Sequence, residues 1–388
     1  MSAAWLPALE FFGALKWIDG TPVLDHVEPY RRRLFTQALD THDAAGRLAY
    51  NLVLSGRAKK NWKSADLVLA ALFALVGNDS GGGNDVFLFG NDEEQAGADL
   101  ALVKKLVGSN PLLRERLVIK QKVVERKDGR GFMQILPAQD VAGTHGLTFR
   151  FAAFDEIHAY RTWDILEAMQ LDPTRGDAQQ WITSYASLYH RPGVPLFDLC
   201  AQGRAGADPW MCFSWYAADY TTDPDFAEAD PETRANPSRD SWGDPDYLAQ
   251  QARRLPAHKF RRLHLNLPGL PEGSAFTAES VMGAVERGVK GWGPEAGAEE
   301  VARVDMAGGS SDDATLAIAR KLPDGRIAVV RILNQGPPPP YDPRQAVTRF
   351  AAVLREYGLS RVRGDAYSGE TFIRDFERAG ITYEVDPR

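Results

Sequence analysis

Three stretches of the chain are apolar at nearly every position instead of every second or third: residues 51–54, 85–90 and 147–155. Runs that short and continuous predict strands buried on both faces, the signature of a parallel sheet covered by helices. Residues 180–186 predict another buried strand, ending in small hydroxyl residues, and 210–216 predict one more. Longer segments with helical spacing lie between them. One starts at Ala65, and one starts at residue 91 with acidic side chains in its first turn, where the helix dipole favours them. A third starts at Pro29, whose fixed φ suits a first turn. The first 50 residues read as largely helical, with Phe11, Phe12, Leu15 and Trp17 as packing residues. Residues 77–84 are a glycine-rich break, and 117–136 predict a hairpin turning at 127–130.

The pattern changes after residue 187. Residues 187–275 are irregular and rich in Pro, Asp and Trp, with one helix expected at 246–254, and 269–273 reads as a linker. Beyond it, 300–306, 312–320 and 326–333 predict three strands of a meander. A stiff proline run at 337–340, a helix at 344–357 and a strand at 361–365 follow. The expected fold class is α/β. A parallel sheet flanked by helices spans 1–268, with 187–268 as an irregular lid or linker region, and a second α/β domain spans 275–388.

Candidate chemistry sits where strands end. Strand 51–54 runs into a basic turn closing on Lys63-Ser64 and then into a helix. That is the layout of a phosphate-binding loop. Backbone N–H groups and a helix N-terminus cradle phosphates, the lysine neutralises the β/γ charge, and the hydroxyl holds Mg²⁺. Two features depart from the usual pattern. Trp62 stands where glycine precedes Lys-Ser, and Gly56 lies seven residues before Lys63 where six is standard. The bland alternative is a basic turn capping a core helix. About ninety residues on, however, an apolar strand ends in Asp155-Glu156. Facing such a loop, Asp155 would join the Mg²⁺ shell and Glu156 would orient or deprotonate the attacking water. The ordered pair favours an ATPase, with Thr183 and Ser184 at the next strand end as candidate sensors of the γ-phosphate. In the last part, Asp305 ends the first strand and Asp365 the fourth. This is the arrangement of an RNase H-like nuclease, in which carboxylates from adjacent strands hold Mg²⁺ or Mn²⁺.

Composition narrows the setting. The 388 residues suffice for two cores, and 44% apolar and 25% charged residues are ordinary for a globular protein. No run is long enough to span a membrane, and the N-terminus lacks the order of a signal peptide. Two cysteines, Cys200 and Cys212, argue against a disulfide scaffold. A net charge of −7 neither announces nor excludes nucleic acid, because a local basic patch is enough. Two basic stretches, Arg31 to Arg33 and Arg253, Arg254, Lys259, Arg261 and Arg262, read either as phosphate contacts or as solvated helix faces.

Taken in order, residues 58–64, 151–158, 235–237, 265–266 and the two carboxylate-ended strands resemble the large terminase subunit of tailed bacteriophages, a DNA-packaging ATPase and nuclease. The family's deviant P-loop begins with a basic residue, a place taken here by Lys59 or Arg57. The resemblance implies nucleotide contacts from Arg57, Lys59, Lys60, Asn61, Trp62, Lys63, Ser64, Asp155 and Thr183. It implies catalysis by Lys63 and Glu156 in one domain and by Asp305 and Asp365 in the other. Metal would be held by Ser64 and Asp155 at the first site, and by Asp305, Asp365 and, as an additional acid, Asp313 at the second. ATP with Mg²⁺ and a nuclease Mg²⁺ or Mn²⁺ are the expected cofactors. The implied partners are double-stranded DNA, a small terminase subunit, the portal protein of the procapsid and neighbouring copies in a ring. The implied place is the host cytoplasm, transiently at the portal, neither in a membrane nor secreted. Three positions depart from the family: Trp62 replaces glycine, Arg31 stands where an adenine-contacting Gln is found, and His145-Gly146 replaces Arg-Gly. The chain also stops at Arg388, before a third metal-binding Asp, so the expectation is a nuclease domain that is apparently truncated. A helicase-like or repair ATPase, and a catalytically degenerate prophage remnant that keeps the fold, are the competing readings.

Overall fold

Continuous apolar runs become strands buried on both faces. In the computed structural model, β1 (Leu52–Gly56), β2 (Val86–Gly90), β6 (Phe151–Asp155), β7 (Gln179–Ser184) and β8 (Met211–Ala217) lie in one nine-stranded sheet. The structure describes residues 5–386 apart from 91–92, 138–140, 142, 270–277, 287, 290, 311 and 366–369. β3 (Leu117–Ile119), β4 (Val123–Arg126), β5 (Phe132–Pro137) and β9 (Tyr220–Thr221) complete the sheet, in the order β3-β4-β5-β2-β6-β7-β1-β8-β9. From β5 to β8 neighbouring strands are parallel, while β3, β4 and β9 pair antiparallel at the two edges. Every residue of β2 and β6 is buried.

Parallel neighbours need crossovers, and helices supply them. Helices α1 (Ala8–Gly13) and α2 (Pro29–Asp40) precede β1. Next, α3 (Lys63–Val76) leads to β2, while α4 (Glu93–Ser109) and α5 (Pro111–Arg116) lead on to β3. Two more, α6 (Asp164–Ala168) and α7 (Pro195–Ala205), flank β7. One face of the sheet packs on α1 to α4 through residues such as Phe12, Phe35, Val68 and Trp181. The other packs through Phe154, Ile165, Leu196 and Trp215. Helix α3 is the most enclosed: of its fourteen residues only Ser64 escapes full burial.

The chain forms two units, Met1–Thr277 and Ala278–Arg388. Residues 187–268 belong to the first and are more ordered than their composition suggests. Besides α7, β8 and β9 they form α8 (Pro231–Ala235), α9 (Tyr247–Arg254) and α10 (Ala257–His264). Scattered Pro and Asp hide local periodicity, but pairing with β1 decides that 211–217 is a core strand. Among the described residues of the first 50 the chain is less helical than expected, holding two α-helices, one 3₁₀ turn and the bridges Lys16↔Pro22 and His42↔Leu48. The expected linker at 269–273 lies, after Gly269, outside the described residues.

The second unit has α11 (Ala278–Ala284), then β10 (Glu300–Asp305), β11 (Thr315–Lys321), β12 (Ile327–Asn334), α12 (Pro343–Glu356), β13 (Arg361–Gly364), α13 (Glu370–Arg378) and β14 (Thr382–Val385). Its sheet order is β12-β11-β10-β13-β14, with an antiparallel meander β10–β12 and with β13 and β14 parallel to β10. Alternating burial along β11 turns Leu316 and Ile318 onto Phe350, Leu354 and Phe376. β11 starts at Thr315 instead of residue 312, because Asp312 and Asp313 sit poorly in a ladder. Among the described residues no helix is long and apolar enough to cross a membrane.

Candidate active site

β1 stops at Gly56 for a packing reason. A Cβ there would lie 2.1 Å from the ring of Trp215, its register partner on β8. Gly56 is therefore a glycine of close strand packing, and the loop that follows manages without one. Lys60 and Trp62 take left-handed backbone, with φ of 70° and 62°. For an L-residue that costs about 1–2 kcal/mol. At Trp62 the side chain offsets the cost by docking: its ring meets Trp17 edge-on at 6.0 Å, and the Arg31 guanidinium lies 5.3 Å from its centre. Asn61 is a clamp. Its Nδ2 donates to the Ala58 and Lys59 carbonyls and to Asn236 Oδ1 at 3.2, 3.0 and 3.0 Å, and its Oδ1 accepts from the Ser238 N–H. The Ala58 and Lys59 N–H groups donate to the carbonyls of Ala235 and Leu263, which ties the loop to the ends of α8 and α10.

Beneath the loop, Asp66 of α3 is fully buried between two arginines. It accepts from Arg31 Nε at 2.7 Å and from Arg57 Nη2. Arg57 also donates to the Asn61 carbonyl at 2.7 Å and has no exposed surface. Two expectations change as a result. Arg57 is a buried strut of the loop, leaving Lys59 as the candidate early basic contact. Arg31 does not lie on a solvated face, because Asp66 and Glu28 hold it inside. Glu28 is three residues away but Asp66 is 35 away, so local patterning could not reveal the burial.

β7 lies between β1 and β6, which brings the loop and the acidic pair to one sheet edge. Asp155 Oδ2 accepts from the Ser64 hydroxyl at 2.8 Å, and Oδ1 accepts from the Thr183 hydroxyl. Thr183 is fully buried, and through this bond it positions Asp155. Ser184 is buried too and donates to the Tyr185 carbonyl. Glu156, at φ 58°, sits 3.7 Å from Lys63 Nζ and 3.2 Å from His158 Nδ1. Burial pushes the Glu156 carboxyl upward, but Lys63 and His158 outweigh it and hold it below its ordinary value. Asp155 goes the other way, up to about 6, through burial first and then its neighbour Glu156. Burial also lowers Lys63, against the pull of Glu156. A third carboxyl, Asp99 of α4, escaped the sequence reading. Burial and then the two acids push it up to about 9. The signal that could have found it is an acid at a helix position flanked by the core residues Leu100 and Val103.

The donor set fits a nucleotide with Mg²⁺. A hydroxyl and a carboxylate sharing one hydrogen bond are suited to hold the ion. A buried ammonium faces the same space, and the first N–H groups of α3 have no intrahelical partners. Lys60 is exposed on the rim of the loop.

In the second unit, the register Arg303↔Arg363 sets Asp305, the last residue of β10, beside Asp365, the residue after β13. Tyr383 donates to the Asp365 carbonyl at 2.8 Å, and Asp386, just past β14, pairs with Arg303. Asp313 accepts from Gln335 Nε2 at 2.7 Å. Among the described residues, no three His, Cys, Asp or Glu side chains come together as a metal site, so Asp313 does not complete one with Asp305 and Asp365.

The two units are thus a P-loop NTPase fold and an RNase H-like fold. Along its full length the chain shares the fold of the HK97 bacteriophage large terminase, with 18% identity, 100% of this chain and 86% of that chain covered, and a TM-score of 0.56. The resemblance expected from the motifs is found at the level of the fold. A structure of the large terminase from a thermophilic bacteriophage aligns over 92% of this chain and 81% of that chain, at 12% identity and a TM-score of 0.45. No family model matches the sequence, and no curated protein matches it.

Proposed function

We propose that this chain is a large-terminase-type motor subunit: an ATPase that drives double-stranded DNA into a procapsid, joined to a metal-dependent nuclease that cuts concatemeric DNA. The observation that carries the reading is the meeting of Lys63, Ser64, Asp155 and Glu156 at one edge of a P-loop sheet, in a chain with the fold of the HK97 large terminase. Lys63 balances charge on the β- and γ-phosphates. Ser64 and Asp155 would hold Mg²⁺, which when bound would withdraw charge from the same phosphates. Glu156, kept ionised beside Lys63, orients the attacking water and accepts its proton. A small terminase subunit, the portal and neighbouring copies in a ring are the partners this role requires, in the host cytoplasm and transiently at the portal. In the second unit Asp305 and Asp365 are the nuclease candidates. Among the described residues no third carboxylate or imidazole joins Asp305 and Asp365 as a metal ligand.

Trp62 in the glycine place favours one rival, a remnant that keeps the fold without turnover. Steady-state ATP hydrolysis with and without double-stranded DNA separates the two. Glu156→Gln should lower turnover by about 100-fold or more while nucleotide still binds. A wild type that binds nucleotide but never hydrolyses it would refute the motor. For the nuclease, Mn²⁺-dependent nicking of plasmid DNA should disappear in Asp305→Asn, and nicking that persists would remove Asp305 from the site.

A further inference from the structure

Tyr185, the residue after β7, is the meeting point of three cations from two parts of the chain. Lys59 Nζ and Lys63 Nζ of the loop each lie 5.3 Å from its ring centre, and so does the guanidinium of Arg262 on α10. His158 stacks on the same ring at 4.1 Å. Tyr185 is buried. Glu156 is the carboxylate paired with Lys63. Glu156 offsets part of this positive charge through Lys63, and for the rest an aromatic face compensates only weakly. Such a cluster is stable when an anion with several charges is shared among them.

The placement of Arg262 is also mechanically specific. The next carbonyl along α10, that of Leu263, accepts the Lys59 N–H of the loop at 2.8 Å. The His264 carbonyl accepts from Asn236 Nδ2, and the Leu265 carbonyl from the Ala218 N–H. Asn266, at φ 52°, joins the Ala186 N–H to the Tyr216 carbonyl. The end of α10 is thus bonded to the loop and to the ends of β7 and β8, and the Arg262 stem packs close to Gly269. A displacement of Arg262 would be passed to α9 and α10, which carry the exposed Arg253, Arg254 and Arg261.

We propose that Arg262 is a phosphate sensor acting within the chain: its guanidinium engages the terminal phosphate of the nucleotide held by Lys63, so that α10 responds to triphosphate and not to diphosphate. This rests on the nucleotide reading above. The shared chemistry is phosphate, and the other source is a nucleic-acid backbone, so the test has two arms. Binding of ATPγS and of ADP, each with Mg²⁺, is measured by calorimetry on the full chain for the wild type, Arg262→Ala and Arg262→Lys. Binding of a short DNA duplex is measured in parallel.

Arg262→Ala should weaken ATPγS by about tenfold to hundredfold, the worth of a charged hydrogen bond. It should change ADP affinity by less than about threefold and leave DNA affinity unchanged, and Arg262→Lys should restore part of the loss. Equal weakening of both nucleotides marks a structural role at Tyr185 and overturns the proposal, as does no change in either. Loss of DNA affinity alone overturns it in favour of the backbone. A wild type that binds neither nucleotide fails the nucleotide reading itself, a result distinct from all of these. If Arg262→Ala does not fold, Arg262→Gln keeps most of the stem at Gly269 and serves the same comparison.

Discussion

Replacing Trp62 by glycine tests how this loop holds its shape. The substitution relieves the left-handed backbone at φ 62°, a gain of about 1–2 kcal/mol. Against that it removes a half-buried indole that packs edge-on against Trp17 and lies beneath the Arg31 guanidinium. Truncating a buried Trp costs about 3–5 kcal/mol, and the lower end applies to a side chain that keeps some solvent contact. The net expectation is a loss of about 2 kcal/mol, or about 4–8 °C in the melting temperature of a domain this size. Thermal unfolding of wild type and Trp62→Gly by circular dichroism measures it. A variant that melts at or above the wild type would refute the reasoning, since strain would then outweigh the aromatic docking. ATP hydrolysis on the same samples reads the other half. Glycine reproduces the left-handed backbone, so turnover should stay within about threefold of the wild type. Activity that appears only in Trp62→Gly would mean that the indole obstructs the phosphates.

Two further perturbations follow from buried groups. Asp66→Asn leaves the guanidiniums of Arg31 and Arg57 buried without their shared carboxylate. It should destabilise the first unit by about 3–5 kcal/mol, lowering its melting temperature by about 10 °C, and an unchanged melt would show that the pair is not structural. His264 is held down to about 4 by burial and by Lys59 nearby, so the folded protein stays unprotonated where the unfolded chain, near pH 6.5, takes a proton. Its contribution to stability is therefore full above about pH 6.5 and is lost as the pH falls toward 4. The melting temperature should drop across that window more steeply in the wild type than in His264→Phe. Parallel curves would exclude His264 as the cause.

Several strands and the order of chemistry along the chain were legible because the signals are local. A continuous apolar run marks β2 or β6 whatever surrounds it, and a Lys-Ser turn before an apolar helix needs no distant partner to be recognised. The two-carboxylate pattern of the second unit was legible for the same reason: a meander, a helix and a returning strand can be read from spacing alone. β14 and α13 escaped because each is short, and its apolar face is defined only by contact with Phe376 and Tyr383.

What the amino-acid sequence determined by itself was a set of buried strands, each carrying its polar residues at one end, and two α/β units. The tertiary structure decided which of those polar groups face one another. Arg57 and Arg31 are basic residues in sequence, but in the fold they are struts, because Asp66 is buried between them. Thr183 ends a strand like any hydroxyl until β7 is placed beside β6, where Asp155 accepts its hydrogen bond. Asp99 and Arg262 lie on helices far from the loop in sequence and join the site only through packing. A charged side chain gets its role from the partner it meets at about 3 Å. Strand order and helix packing set that partner, and the residues adjacent in the chain do not.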